Sequence, residues 1–142
     1  MIFPFDQISE TEFDTINIAK KFSAHINVGD IICLNGELGV GKTFFSKAVL
    51  NNFGIETANS PSFAIVNEYD GKLKFFHFDF FRLKNINELY DIGIDEYMMD
   101  DTSVKIIEWA ELFRDVLPNA RFEINFEMLN SEKRKITIIK YE

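Results

Sequence analysis

Apolar residues at Ile16, Ala19, Phe22 and Ile26 recur at steps of three and four, the spacing of one helical face. Ser9-Glu10-Thr11-Glu12, just before them, fits a capping box that opens this first helix. Val28-Gly29-Asp30 reads as a turn into the unbroken apolar run Ile31-Ile32-Cys33-Leu34, a buried strand. Phe44 to Phe53 returns to helical spacing, with Gly54 placed as its C-terminal cap. Residues 55 to 62 read as loop. Phe63–Tyr69 and Lys72–Phe80 read as strands joined by the two-residue hairpin signal Asp70-Gly71. Asn85-Ile86-Asn87-Glu88 opens a short helix with capping-box spacing, Gly93 breaks it, and Asp95 to Met99 forms another helical turn. Val104–Ile107 is a further apolar strand, and Trp109–Leu117 reads as a helix stopped by Pro118. Ile124, Phe126 and Met128 alternate with polar residues in the strand Glu123–Met128, and residues 135–141 return alongside it. This order predicts an α/β fold with a mixed sheet, a parallel core carrying antiparallel hairpin strands.

Residues 36 to 43, Gly-Glu-Leu-Gly-Val-Gly-Lys-Thr, match the P-loop pattern G-x-x-x-x-G-K-[ST] at every fixed position. The pattern lies between a predicted strand and a predicted helix, the order its chemistry requires. Gly36, Gly39 and Gly41 let the backbone turn without Cβ clashes, so that its amides face inward. Those amides form an anion-binding nest where the helix dipole adds positive potential. Lys42 is placed to reach the β- and γ-phosphates, and the Thr43 hydroxyl to ligate Mg²⁺. A glycine turn that merely caps a helix is the alternative. At average composition the full pattern arises by chance in a chain of this length at odds of roughly half a percent. The expected nucleotide-contacting set is Glu37, Leu38, Gly39, Val40, Gly41, Lys42, Thr43 and Phe44, with Trp109 from further along the chain. The fold class expected is therefore a P-loop NTPase-like three-layer domain, one domain over residues 1–142.

Bulk properties narrow the function. The chain has 142 residues, 46% hydrophobic and 27% charged, an ordinary globular balance. No apolar run approaches a membrane span, and the N-terminus Met-Ile-Phe-Pro-Phe-Asp has no signal-peptide core, so a cytoplasmic protein is expected. The lone Cys33 falls inside a predicted strand and reads as a small core residue. Net charge is −8, against direct capture of nucleic acid through its phosphates. Lys133-Arg134-Lys135 is the only basic cluster, and it reads as a solvated hairpin tip.

A P-loop needs further carboxylate near its metal. Asp79 breaks the aromatic run Phe75-Phe76-His77-Phe78-Asp79-Phe80-Phe81-Arg82, and Glu108 follows Val104–Ile107 as a Walker B element would. Ligands of parallel sheets collect at the carboxyl ends of strands, which favours Glu108. The expected catalytic set is Lys42, Asp79 and Glu108, and the expected metal set is Thr43, Asp79 and Glu108. His77 shares the strand face of Asp79, as a hydrogen-bonding or a catalytic histidine. Trp109 is a core residue or a stacking partner of the nucleotide, and Arg82 an arginine finger or a salt-bridge partner. Ser60, Pro61 and Ser62 lie where switch segments of phosphate-binding NTPases sit.

Taken in order, these pieces resemble the TsaE (YjeE) family of small P-loop ATPases of bacterial tRNA threonylcarbamoyladenosine synthesis. The resemblance is carried by Gly36–Thr43, by Ser60-Pro61-Ser62-Phe63 with Val66 and Tyr69, by His77-Phe78-Asp79-Phe80-Phe81-Arg82-Leu83, and by Ile107-Glu108-Trp109-Ala110-Glu111. Glu88–Gly93 through Glu96-Tyr97 resembles the family's linker between the last two. Ser62 stands where the family usually has Thr, and Phe81 where it usually has Tyr, which removes a hydroxyl. The resemblance implies ATP and Mg²⁺ as cofactors, held by Lys42 and Thr43. It implies that Asp79 and Glu108 bind the metal or orient the attacking water, that Ser60–Phe63 is a switch, and that Trp109 lies near the nucleotide. The implied partners are TsaD and TsaB, with tRNA met mainly through them and no membrane involved. The implied role is to reset or activate the threonylcarbamoyl-transfer complex. Other classes remain: a nucleotide-dependent scaffold with little turnover, a small P-loop kinase, and a signalling GTPase. The kinase lacks an insertion long enough for a lid. The GTPase lacks both Asn-Lys-x-Asp and Asp-x-x-Gly.

Overall fold

The computed structural model describes residues 1–37, 39–56 and 65–142. Leu38, the Ser60-Pro61-Ser62 segment and the start of the strand expected from Phe63 lie outside the described residues. The elements are β1 (Phe5–Ser9), α1 (Glu12–Ser23), β2 (Ile31–Asn35), α2 (Lys42–Asn52), β3 (Val66–Asp70), β4 (Lys74–Asp79), α3 (Asn87–Asp91), α4 (Ile94–Met99), β5 (Val104–Glu108), β6 (Arg121–Met128) and β7 (Arg134–Tyr141). Short 3-10 segments cover Phe80–Arg82 and Ala110–Val116.

The seven strands form one sheet in the order β1-β7-β6-β2-β5-β4-β3. β6, β2, β5 and β4 run parallel, and β3, β7 and β1 add antiparallel at the flanks. Every residue of β2 and β5 is buried, as parallel strands covered on both faces must be. Alternation along β2 divides its side chains. Ile32 and Leu34 join Phe22, Phe45, Val49 and Ile106 in the core beneath α1 and α2. Ile31 and Cys33 join Phe78, Leu89, Ile94 and Ile107 in the core on the other face. This is the expected three-layer α/β arrangement, with Cys33 fully buried.

Three local expectations are corrected, and one strand appears that the sequence did not announce. β1 carried no clear signal, and it pairs antiparallel with β7 from Phe5↔Ile138 to Ser9↔Arg134. Ser9 therefore ends a strand, donates to the Thr11 carbonyl and shares a 2.7 Å hydrogen bond with the Thr15 hydroxyl. The helix cap moves to Thr11, which accepts from the Asp14 amide at 3.1 Å while Asp14 accepts from the Glu10 amide at 2.9 Å. The β3–β4 hairpin turns through Gly71-Lys72-Leu73 rather than Asp70-Gly71, in the register Asp70↔Lys74. Its turn leans on the end of α2, where Lys72 donates to the Phe53 carbonyl at 2.8 Å. The Trp109–Leu117 segment is 3-10 from Ala110 and kinked at Phe113 (φ −140°, ψ 63°) rather than α-helical. The Trp109 amide donates to the Leu34 carbonyl at 3.0 Å, which holds the chain against the end of β2 at φ 61° before any helix can begin.

Candidate functional site

β2 delivers the chain to the top of the sheet at Asn35, and α2 departs from Lys42. The connection between them approaches its neighbours closely. At Gly36 (φ +147°) a Cβ would collide with the Phe126 carbonyl, and at Gly41 (φ +106°) with the Arg134 guanidinium. Gly36 is therefore required by both conformation and space, since its neighbour is backbone, and Gly41 by its conformation, since the Arg134 side chain could swing aside. Gly41 caps α2 in the left-handed region, so the first turn of that helix presents its free amides at the loop.

An open cavity of about 710 Å³ lies over this turn, and Gly39, Gly41, Lys42, Thr43, Phe44, Asp79, Glu108 and Trp109 all line it. The structure thus brings the loop, both carboxylates and the tryptophan together. Glu37 is exposed and instead borders a neighbouring cavity of about 440 Å³ that Trp109 also lines. The Val40 side chain is buried in the core, which leaves its backbone to the loop.

Glu108 is the hub. Asp79 and Glu108 are register partners at the ends of β4 and β5. Glu108 is buried, yet Oε1 accepts from the Thr43 hydroxyl at 2.7 Å and Oε2 lies 2.5 Å from His77 Nε2. Burial pushes its carboxyl up, but the His77 hydrogen bond and charge, the Thr43 hydroxyl and the Lys42 charge outweigh that and hold it below the usual glutamate value. His77 is thereby a hydrogen-bonding partner of Glu108, and its Nδ1 is buried without a partner among the described residues. Asp79 is bound locally, accepting from the Phe81 amide at 3.1 Å and pairing with Arg82 Nε at 3.3 Å. Arg82 is thus the salt-bridge partner of Asp79.

Lys42 is buried, with Nζ donating to the Gly36 carbonyl and lying 3.2 Å from the Trp109 ring centroid. Burial lowers its pKa, and Glu111, Glu108 and Asp79 act against that shift. Phe81 stacks on Trp109 with centroids 4.8 Å apart. Thr43, Glu108 and Asp79 offer only oxygen donors, which suits Mg²⁺, a hard ion that binds through one or two carboxylates plus waters and phosphate.

Two residues of this neighbourhood were not singled out as site residues in the sequence. Glu111 is the charge that most supports a protonated Lys42, and its Oε2 is buried without a partner among the described residues. Its position three residues after Glu108 was the available signal. Arg134 donates from Nη1 to the Val40 carbonyl at 2.7 Å, which corrects the reading of its basic triplet as a solvated tip.

Fold and loop together define a P-loop NTPase-like α/β protein. The family model for threonylcarbamoyl adenosine biosynthesis protein TsaE matches residues 9–136. The chain is 35% identical to the tRNA threonylcarbamoyladenosine biosynthesis protein TsaE of Rickettsia bellii over 134 residues, covering 92% of each protein. It is 39% identical to the TsaE protein of Bacillus subtilis over 126 residues, 87% of this chain and 78% of that one. The crystal structure of Bacillus subtilis YdiB superposes with a TM-score of 0.82 at 31% identity, covering 100% of this chain and 88% of that chain. The chain belongs to the TsaE family, whose members act in tRNA threonylcarbamoyladenosine biosynthesis.

Proposed function

We propose that the chain, as one domain over residues 1–142, is a Mg²⁺-dependent ATPase that resets or activates the threonylcarbamoyl-transfer complex in the cytoplasm. The partners in this reading are TsaD and TsaB, with tRNA met through them. Among the described residues no helix is long and apolar enough to cross a membrane. The observation that carries the reading is the convergence of Lys42, Thr43 and Glu108 on one cavity, with Thr43 bonded to Glu108 at 2.7 Å.

The residues divide the work. Loop amides and the Lys42 ammonium cradle the phosphates, and Lys42 moves from the Gly36 carbonyl and the Trp109 face toward them. Thr43, with Asp79 or Glu108, would hold Mg²⁺, which when bound would neutralise charge on the phosphate oxygens. Glu108, ionised at neutral pH, orients the attacking water. Catalysis of this type is mostly positioning and electrostatics. Both Glu108 oxygens are already engaged, by His77 and by Thr43. Hydrolysis by the chain alone is accordingly slow, and partner contact that loosens one of these bonds speeds it. The same observation favours the second reading, a nucleotide-dependent scaffold with little turnover.

Phosphate release from Mg-ATP, measured with and without TsaD and TsaB, tests the first reading. We expect stimulation by the partners, loss of turnover in Lys42→Ala, and loss of turnover with binding retained in Glu108→Gln. Equal rates with and without partners would remove the expected stimulation, and negligible release even with the partners present would favour the scaffold. Wild-type turnover in Glu108→Gln would show that the site is elsewhere.

A further inference from the structure

The three basic residues Lys133, Arg134 and Lys135, where the hairpin turn enters β7, have unlike surroundings. Lys133 makes a surface pair with Glu10 at 3.7 Å, and Lys135 sits in register with Glu127 of β6 and Ile8 of β1. Arg134 has Met128 on one side and Ser9 on the other, and its side chain crosses to the phosphate-loop motif. Nη1 donates to the Val40 carbonyl at 2.7 Å, a contact between residues 94 apart in sequence. The guanidinium occupies the space a Cβ at Gly41 would fill. Gly41 also lines the main cavity.

We propose that Arg134 is a positioning residue of the phosphate loop, holding it in its anion-binding shape and adding a fixed positive charge behind it. The inference rests on the nucleotide-binding reading above. A trans peptide unit is planar, with its carbonyl and its N–H on opposite sides. Fixing the Val40 carbonyl toward Arg134 therefore turns the Gly41 N–H away from the guanidinium. The sheet order places this tie opposite the carboxylates. Thr43 is bound to Glu108 at the end of β5 and Asp79 ends β4, whereas Arg134 comes from β7, beyond β6 on the other side of β2. The loop that follows β2 is thus held from both flanks of the sheet. Gly41 serves two purposes in this arrangement: it turns the chain at positive φ, and it leaves room for the guanidinium to reach the preceding carbonyl.

Arg134→Ala and Arg134→Lys, compared with wild type, test this in two ways. Without nucleotide, the amide resonances of Gly39, Gly41 and Lys42 shift or broaden in Arg134→Ala, while those of β2 and β5 stay in place. With nucleotide, calorimetry shows Mg-ATP, Mg-ADP and magnesium tripolyphosphate each binding Arg134→Ala about tenfold more weakly or worse, the loss expected for a hydrogen bond to a charged group. Arg134→Lys, which keeps one donor and the charge, recovers part of the affinity. The unliganded melting temperature separates this role from general support of the fold. Unperturbed loop amides in Arg134→Ala overturn the proposal, as does an affinity loss fully matched by a fall in the folded fraction. If wild type binds no triphosphate while the loop amides respond as expected, the nucleotide reading fails and the Arg134 tie stands as the anchor of the loop.

Discussion

A buried carboxylate keeps its charge only where its oxygens are engaged, and Glu108 has one partner for each: His77 at 2.5 Å and Thr43 at 2.7 Å. Its folded pKa lies below the ordinary glutamate value, about 4.3. A depressed carboxylate stabilises the fold above its unfolded value, and the contribution is lost as pH falls through the lower folded value. Thr43→Val removes one of the lowering bonds. The Glu108 carboxyl, followed by carbon-13 titration, should then rise toward the ordinary value, and the acid-unfolding midpoint should move to higher pH. A titration unchanged in Thr43→Val would mean that His77 and Lys42 carry the whole effect. Lys42 has the complementary balance, lowered by burial and supported by Glu111 ahead of Glu108 and Asp79.

At the scale of elements, two departures from local sequence rules have tertiary causes. The β3–β4 turn is set by its contact with the C-terminal end of α2, where Gly71 lies against the Phe53 carbonyl and the Ile55 side chain. A Cβ there would overlap backbone, which cannot swing aside as a side chain does. Gly71→Ala should therefore cost about 1–3 kcal/mol, the range for overpacking, read by urea denaturation. Unaltered stability would show that the hairpin can step away from α2. The 3-10 segment after β5 starts directly where the Trp109 amide's bond to the Leu34 carbonyl ends the ladder between β2 and β5. Trp109 itself turns the chain, at φ 61°, and its ring meets Lys42 and Phe81 rather than heading a regular helix.

At the scale of the whole molecule, two cores lie on opposite faces of the sheet, and Val40 anchors the loop in the one beneath α1 and α2. Phe45 ties the first turn of α2 to its core, fully buried, with ring centroids 5.5 Å from Phe126 and 6.2 Å from Phe22. Phe45→Ala should cost about 3–5 kcal/mol, as large-to-small core changes do, measured by urea denaturation. A much smaller loss would mean that α2 is held mainly by its backbone connection to β2. The net charge of −8 belongs to this scale too. It opposes independent capture of RNA through its phosphates.

The sequence alone determined the class of fold, the loop and the two carboxylates. Those signals are local: the motif's fixed residues lie within eight positions, and buried parallel strands announce themselves as unbroken apolar runs. Tertiary structure decided what depends on distant partners. β1 is half-exposed and short, and it becomes a strand through its pairing with β7. The moved helix cap follows from that pairing. His77 was legible as a polar residue on the right face, but its bond to Glu108 needed β4 and β5 side by side. Arg134 looked like one of three solvated bases because its partner carbonyl lies 94 residues earlier in the chain. A hydrogen bond across that separation leaves no periodicity in the sequence, and it exists only once the sheet has brought β7 and the loop together.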